Sequence, residues 1–208
     1  MALAHKGLEY EGIPWRFTDK DAIAFSGQGL VPVLVDGERT VIDSWQIALY
    51  LDEAYPDKPL LFGSEQARGA SQVFKFWCEQ NVHPALLRII VLDLFANLHD
   101  KDKAYFRESR EKRFGTTLEQ FGADRTGALV ALRKALDTVR PVLVTQPYVG
   151  GAQPAFTDFI LFGAFQWARV MSPARLLEPD DPMYAWRERM LGLYDGLAGR
   201  ALGYPVWA

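Results

Sequence analysis

The pattern of apolar and polar positions changes character near residue 63. Before it, short apolar runs alternate with turn residues; after it, apolar residues recur at three- and four-residue spacings almost to the end. Leu8 to Trp15 reads as a short strand. Thr18-Asp19-Lys20-Asp21 then offers a hydroxyl N-cap with an acid three residues on, opening a small helix that should end near Gly27 and Gly29. Val31-Pro32-Val33-Leu34-Val35 is a strand run, Asp36-Gly37 signals a hairpin turn, and Thr40-Val41-Ile42 returns antiparallel. A helix is predicted from Ser44, with Ile47, Leu51 and Ala54 on one face and Pro56 as its stop.

The second part reads as a helical bundle. Leu129, Leu132, Leu136, Val139 and Leu143 form an amphipathic stripe, and Trp186, Met190, Leu193 and Leu197 repeat it. Phe156 to Met171 is apolar nearly all round, as a helix buried inside a bundle would be. Pro84 should kink or end a helix within Ser71 to Leu98.

Composition narrows the function classes. The chain has 208 residues, 49% of them hydrophobic and 24% charged, with a net charge of −3, which suits a folded protein of one large or two small domains. Arg107, Arg110, Lys112 and Arg113 alternate with Glu108 and Glu111, a solvated helix face rather than a nucleic-acid footprint. The single cysteine, Cys78, excludes an intrachain disulfide and is expected to be buried and inert. His5, His83 and His99 are scattered, so no metal site is expected. The N-terminus lacks a signal-peptide run, and Ala85 to Leu98 is interrupted by Arg88 and Asp93, so no membrane span and a cytoplasmic location are expected.

Three stretches carry a family resemblance: Val31-Pro32-Val33-Leu34-Val35; Ile42-Asp43-Ser44-Trp45-Gln46-Ile47 continuing to Pro56; and Gly150-Gly151-Ala152-Gln153-Pro154-Ala155-Phe156-Thr157-Asp158. Over nearly its whole length the chain resembles the cytosolic glutathione transferases. The resemblance implies an α/β plus all-α architecture: a thioredoxin-like, glutathione-binding domain over residues 1–63, its first strand missing, then an all-helical domain over 64–208. The branch it most resembles is the bacterial and fungal etherase type, through Asp43-Ser44-Trp45, Tyr50-Leu51-Asp52-Glu53, Arg107-Glu108-Ser109-Arg110-Glu111, Phe114-Gly115, Asp180-Asp181-Pro182 and Leu193-Tyr194-Asp195-Gly196-Leu197.

By this resemblance glutathione is the co-substrate and a small hydrophobic electrophile the other partner. The bond before Pro32 is expected to be cis, presenting the main chain of Val31 to the cysteinyl residue of glutathione. Ser44 and the first-turn N–H groups of its helix would bind the γ-glutamyl carboxylate, and Asp43 would accept from the γ-glutamyl amine. The plainer alternatives are a strand that begins with proline and an ordinary N-cap. Relatives often carry Lys, Arg or Gln where Leu30 stands, which leaves Gln28 as a substitute donor. Asp158 is expected to cap the buried helix alone, because Ala155 has no side-chain oxygen. Phe74, Trp77, Phe95, Phe165, Trp167, Tyr204 and Trp207 are candidates for an electrophile pocket, Tyr204 and Trp207 above all.

The family's thiolate-stabilising Ser, Tyr or Cys precedes the segment that Met1 to Gly7 resembles, so no catalytic residue is assigned, and His5 and Lys6 are given no catalytic role. Two explanations compete, a start site placed too late or a short protein that has given up the chemistry. The corresponding functions are a transferase of etherase type and a non-catalytic binding module. A homodimer is expected, with Trp45 flanking the pairing surface.

Overall fold

The computed structural model describes residues 1–205. A four-residue helix, α1 (Ala2–His5), opens the chain, and a 3-10 helix runs over Lys20–Ser26. Strands β1 (Val33–Asp36) and β2 (Arg39–Ile42) form an antiparallel pair in which Val33 faces Ile42 and Asp36 faces Arg39. Gly37, at φ +57°, makes the hairpin turn affordable to the backbone. Helix α2 (Ser44–Ala54) follows, and from residue 64 the described chain is helical: α3 (Glu65–Trp77), α4 (His83–Asn97), α5 (Asp100–Phe114), α6 (Leu118–Phe121), α7 (Arg125–Leu136), α8 (Arg140–Thr145), α9 (Phe156–Met171) and α10 (Pro182–Arg200).

The expected strand Leu8–Trp15 does not form. Residues 8–16 carry no regular structure, and the sheet of the described residues has two strands only. A strand is defined by its ladder, and this segment has no neighbour to pair with. The Thr18 cap is likewise replaced: its hydroxyl and N–H both donate to Asp102 Oδ1, at 2.7 and 3.0 Å, and the small helix starts uncapped after Asp19. Gly27, in the left-handed region, ends it as expected.

Helix α2 buries Trp45, Ala48 and Leu51; of the expected face only Leu51 is fully buried, Ile47 being half-buried and Ala54 exposed. Trp45 sits 5.1 Å from the Phe62 ring and 5.8 Å from Phe156, so the helix turns toward the bundle. This removes Trp45 from any pairing surface, since the side chain is 7% exposed. Pro84, without an N–H, is accommodated by a π-helical turn over Cys78–Val82 that joins α3 to α4. The Leu129-to-Leu143 stripe is divided between α7 and α8, yet Leu132, Leu136, Val139 and Leu143 are buried together. Helix α10 is interrupted at residues 193–196, where Tyr194, Asp195 and Gly196 are all left-handed, and burial passes to Leu191 and Ala198. Helix α9 fills the middle of the bundle, burying Phe159, Phe162 and Phe165 as its sequence suggests.

Candidate functional site

The hairpin register brings two sequence-distant runs to one end. Val33 lies opposite Ile42. Val31 and Pro32, just before β1, and Asp43 and Ser44, just after β2, therefore flank the same end of the sheet. The Val31–Pro32 peptide is cis. Val31 is 48% exposed, and its main-chain N–H and C=O make no hydrogen bond among the described residues, so both are open to an extended peptide.

Asp43 holds φ +71°, a conformation that costs a non-glycine residue about 1–3 kcal/mol. In that conformation its Oδ1 accepts from Trp45 N (2.9 Å) and Gln46 N (3.2 Å), while its carbonyl accepts from Ile47 N (2.9 Å). Asp43 is thus the N-cap of α2, and among the described residues Oδ2 has no partner. The cap takes two of the first-turn N–H groups that the sequence offered to a ligand. What remains is the N–H and hydroxyl of exposed Ser44, at the positive end of an eleven-residue helix. Carboxylate acceptor, hydroxyl donor and open main chain together suit a small zwitterionic peptide.

Gln28 is not a spare donor. Its amide nitrogen donates to Ser26 Oγ (3.0 Å) and Leu30 O (2.8 Å), and its oxygen accepts from Leu30 N (2.6 Å), so it braces the turn before Val31. Tyr55 and Tyr50 both donate to Asp36 Oδ2 and hold that carboxyl below the usual carboxylate range. His5 accepts or donates at Tyr194 Oη (2.8 Å) and meets Leu60 O (3.1 Å), and burial lowers its pKa. Lys6, with 0% exposure, pairs with Asp52 at 2.6 Å, and Asp52 in turn accepts from Leu61 N and Phe62 N. This ties α1 and α2 to the segment leading into α3.

Beside the β-hairpin lies a groove of about 800 Å³ lined by Val31, Val33 and Val35 together with Tyr10, Ile13 and Trp15. Among the described residues, none of the aromatics proposed for an electrophile pocket lines it. Phe74 and Trp77 stack on each other, Phe165 packs on Trp186, and Tyr204 is tied down through its N–H to Arg169 O (2.9 Å). Trp207 lies outside the described residues. Asp158 behaves as expected and goes further: Val149 N, Gly150 N, Ala155 N and Trp186 Nε1 all donate to it. Cys78 is buried and its thiol is pushed up to about 12 by burial, which makes it unreactive.

A family model described as glutathione S-transferase, C-terminal domain, matches residues 70–183, and one described as glutathione S-transferase, N-terminal domain, matches residues 1–54. Glutathione S-transferase Z1 of Arabidopsis thaliana is 47% identical over 66 residues, a stretch that is 29% of this chain and 30% of that protein. Among solved structures, a glutathione transferase of Phanerochaete chrysosporium superposes with a TM-score of 0.74 at 26% identity, covering 94% of this chain and 82% of that one. A glutathione S-transferase of Ceriporiopsis subvermispora, solved in complex with glutathione, gives 0.77 at 22% identity, covering 93% and 86%.

Proposed function

The chain belongs to the glutathione S-transferase family, and we propose that it holds glutathione at Val31, Pro32, Asp43 and Ser44 as co-substrate for attack on a small hydrophobic electrophile. In this reading residues 1–63 are the glutathione-binding part and residues 64–208 the helical domain. The observation that carries it is the register placing the open main chain of Val31 and the Asp43–Ser44 cap at one end of the hairpin. The Val31 N–H and C=O would pair with the cysteinyl residue, the Ser44 N–H and hydroxyl would donate to the γ-glutamyl carboxylate, and Asp43 Oδ2 would accept from its ammonium. The Ceriporiopsis protein, solved with glutathione, supports this ligand through its fold.

The electrophile class we propose is aromatic, including aryl ethers cleaved by thiolysis, as in the etherase branch. We further propose a cytoplasmic homodimer; among the described residues no helix is long and apolar enough to cross a membrane. Exposed Val73 and Phe76 on α3 offer an apolar surface for pairing.

A second reading, a glutathione-binding module without turnover, is favoured by one observation. The hydroxyls of Tyr50 and Tyr55 are given to Asp36, that of Ser26 to Ile23 O, and that of Thr18 to Asp102, which leaves them unavailable to a thiolate. Titration calorimetry with glutathione tests the site. Ser44→Ala should weaken binding by about tenfold, the loss of one hydrogen bond to a charged group, with little change in Tm. Unchanged affinity in the folded variant removes Ser44 from the site. Retention of glutathione without turnover of an aryl halide decides for the second reading.

A further inference from the structure

Helices α9 and α10 enclose a small cavity of about 30 Å³, lined by Gln166, Arg169, Ser172, Arg175, Arg187 and Leu191 among others. It shares no residue with the site proposed for glutathione. Three of its side chains are guanidinium groups and none of its lining residues is acidic.

Arg187 is the centre of the argument. The residue is 9% exposed, and its Nε and Nη2 have no hydrogen-bond partner among the described residues. Those two nitrogens form the side-on edge of a guanidinium, the geometry that grips both oxygens of a carboxylate or two oxygens of a phosphate. The carboxylate of Glu188, about half exposed, forms an ion pair with Nη2 at 3.7 Å but is too far for a hydrogen bond. The ring of Tyr184 lies under the guanidinium, 4.5 Å from its carbon, and orients it.

Arg169 brings a second charge. Its Nη atoms donate to the carbonyls of Ala198, Gly199 and Ala201 at the end of α10, which leaves Nε without a partner. Arg175 is half exposed, with Glu178 at 3.7 Å, and Glu178 is itself held at 2.7 Å by Arg133. The lining side chains therefore carry positive charge and donors without hydrogen-bond partners, beside one acceptor, Gln166 Oε1, that likewise has none among the described residues. The cavity's volume is about two water-sized spheres, room for an oxyanion head and not for a bulky organic body.

We propose that this cavity binds a small oxyanion, a carboxylate or a phosphate group, gripped by the Nε–Nη2 edge of Arg187 with Arg169 Nε as an additional donor. An occupant would join α9 to α10 and to the tail that Tyr204 fastens on Arg169 O. The chemistry admits two sources, inorganic phosphate or an organic carboxylate, which the experiment separates.

The test is titration of the full chain with phosphate and, separately, with succinate, at ionic strength held constant with chloride. The readouts are the side-chain Nε–H resonances of Arg187 and Arg169. One anion is expected to shift both resonances saturably, and the one that does identifies the source. Arg187→Lys keeps the charge but loses the two-pronged edge, and should weaken binding at least tenfold. Absence of a saturable shift with both anions overturns the proposal, as does undiminished binding by a folded Arg187→Lys protein. If that variant does not fold, the wild-type resonances decide alone. Glutathione affinity is independent of this site, so failure here leaves the Val31–Ser44 reading standing.

Discussion

Replacing Asp158 by asparagine tests how the helical domain is held together. The carboxylate is fully buried, with 0% exposure, and accepts four hydrogen bonds: Val149 N at 2.7 Å and Trp186 Nε1 at 2.8 Å on one oxygen, Gly150 N at 2.9 Å and Ala155 N at 3.0 Å on the other. The site is tight. A Cβ on Gly150 would lie 2.5 Å from Ala155 Cβ, so the loop packs directly on the start of α9. Asparagine keeps one oxygen and turns an NH₂ toward two N–H donors. Two bonds to a charged acceptor are lost, each worth about 1.5–3 kcal/mol, and two donors are left facing a donor. Removing a buried charge offsets part of this, so a net cost of about 3–5 kcal/mol is expected. For a chain of this size that corresponds to a fall in Tm of roughly 6–20 °C. Differential scanning calorimetry, with urea denaturation to check that the m-value is unchanged, measures it. A fall of less than about 3 °C would refute the reasoning and mean that Asp158 contributes little beyond what an amide supplies.

Three further outcomes follow from the described contacts. Burial lowers the pKa of His5 from its ordinary 6.5, so the native state takes up its proton less readily than the unfolded chain; stability is complete above about 6.5 and falls as the pH drops through that value. Tm measured from pH 7.5 to 5 should show this decline, and His5→Gln should reduce its slope; an identical slope in the variant counts against His5. The backbone amides of Glu9 to Ile13 and of Trp15 have no partner among the described hydrogen bonds and should exchange in seconds, whereas those of Phe159 to Ala168 in α9 persist for hours; comparable protection of the two would show that residues 8–16 are paired in solution. A thiol reagent should leave Cys78 unmodified in the native protein and label it fully in denaturant, and rapid native labelling would contradict the buried, raised-pKa thiol.

The sequence was legible where local chemistry sets the structure and opaque where a distant partner does. The Asp36-Gly37 signal between two β-branched runs locates a hairpin to within one residue, since Asp36 still pairs with Arg39 and the turn is Gly37-Glu38, and an acid before Ser44 specifies its own helix start. Leu8–Trp15 has strand-like residues, but a ladder needs a second chain segment that alternation cannot reveal. The buried face of α2 was misplaced because its neighbours, Phe62 and Phe156, come from elsewhere in the chain. At the proposed site, position alone singles out Asp43 and Ser44, but not the division of labour between them. Only the folded backbone sets Oδ1 on two first-turn amides and leaves Oδ2 and Ser44 without partners among the described residues. Gln28 looked like a donor for the same reason in reverse, since its bonds to Ser26 and Leu30 close within the turn. The arginine cavity gave no sequence signal, because Arg169 and Arg187 meet only through the packing of α9 against α10.

These placements also determine which part of the molecule keeps the site in shape. The groove beside β1 is open, and residues 8–16 that border it carry no ladder, so the hairpin receives little support from that side. Its orientation must come instead through α2. Trp45, one residue after Ser44, is wedged against Phe62 and Phe156, and seven residues later Asp52 binds Lys6 and the amides of Leu61 and Phe62. Phe156 is the first residue of α9, and its N–H donates to Leu61 O at 2.9 Å. The start of α2 is thereby clamped to the start of the bundle's central helix, whose own entry is held by Asp158. Loss of order in residues 8–16 should accordingly leave the Asp43–Ser44 geometry intact, whereas damage at Asp158, far along the sequence, should reach the proposed glutathione site by loosening Phe156 from Trp45.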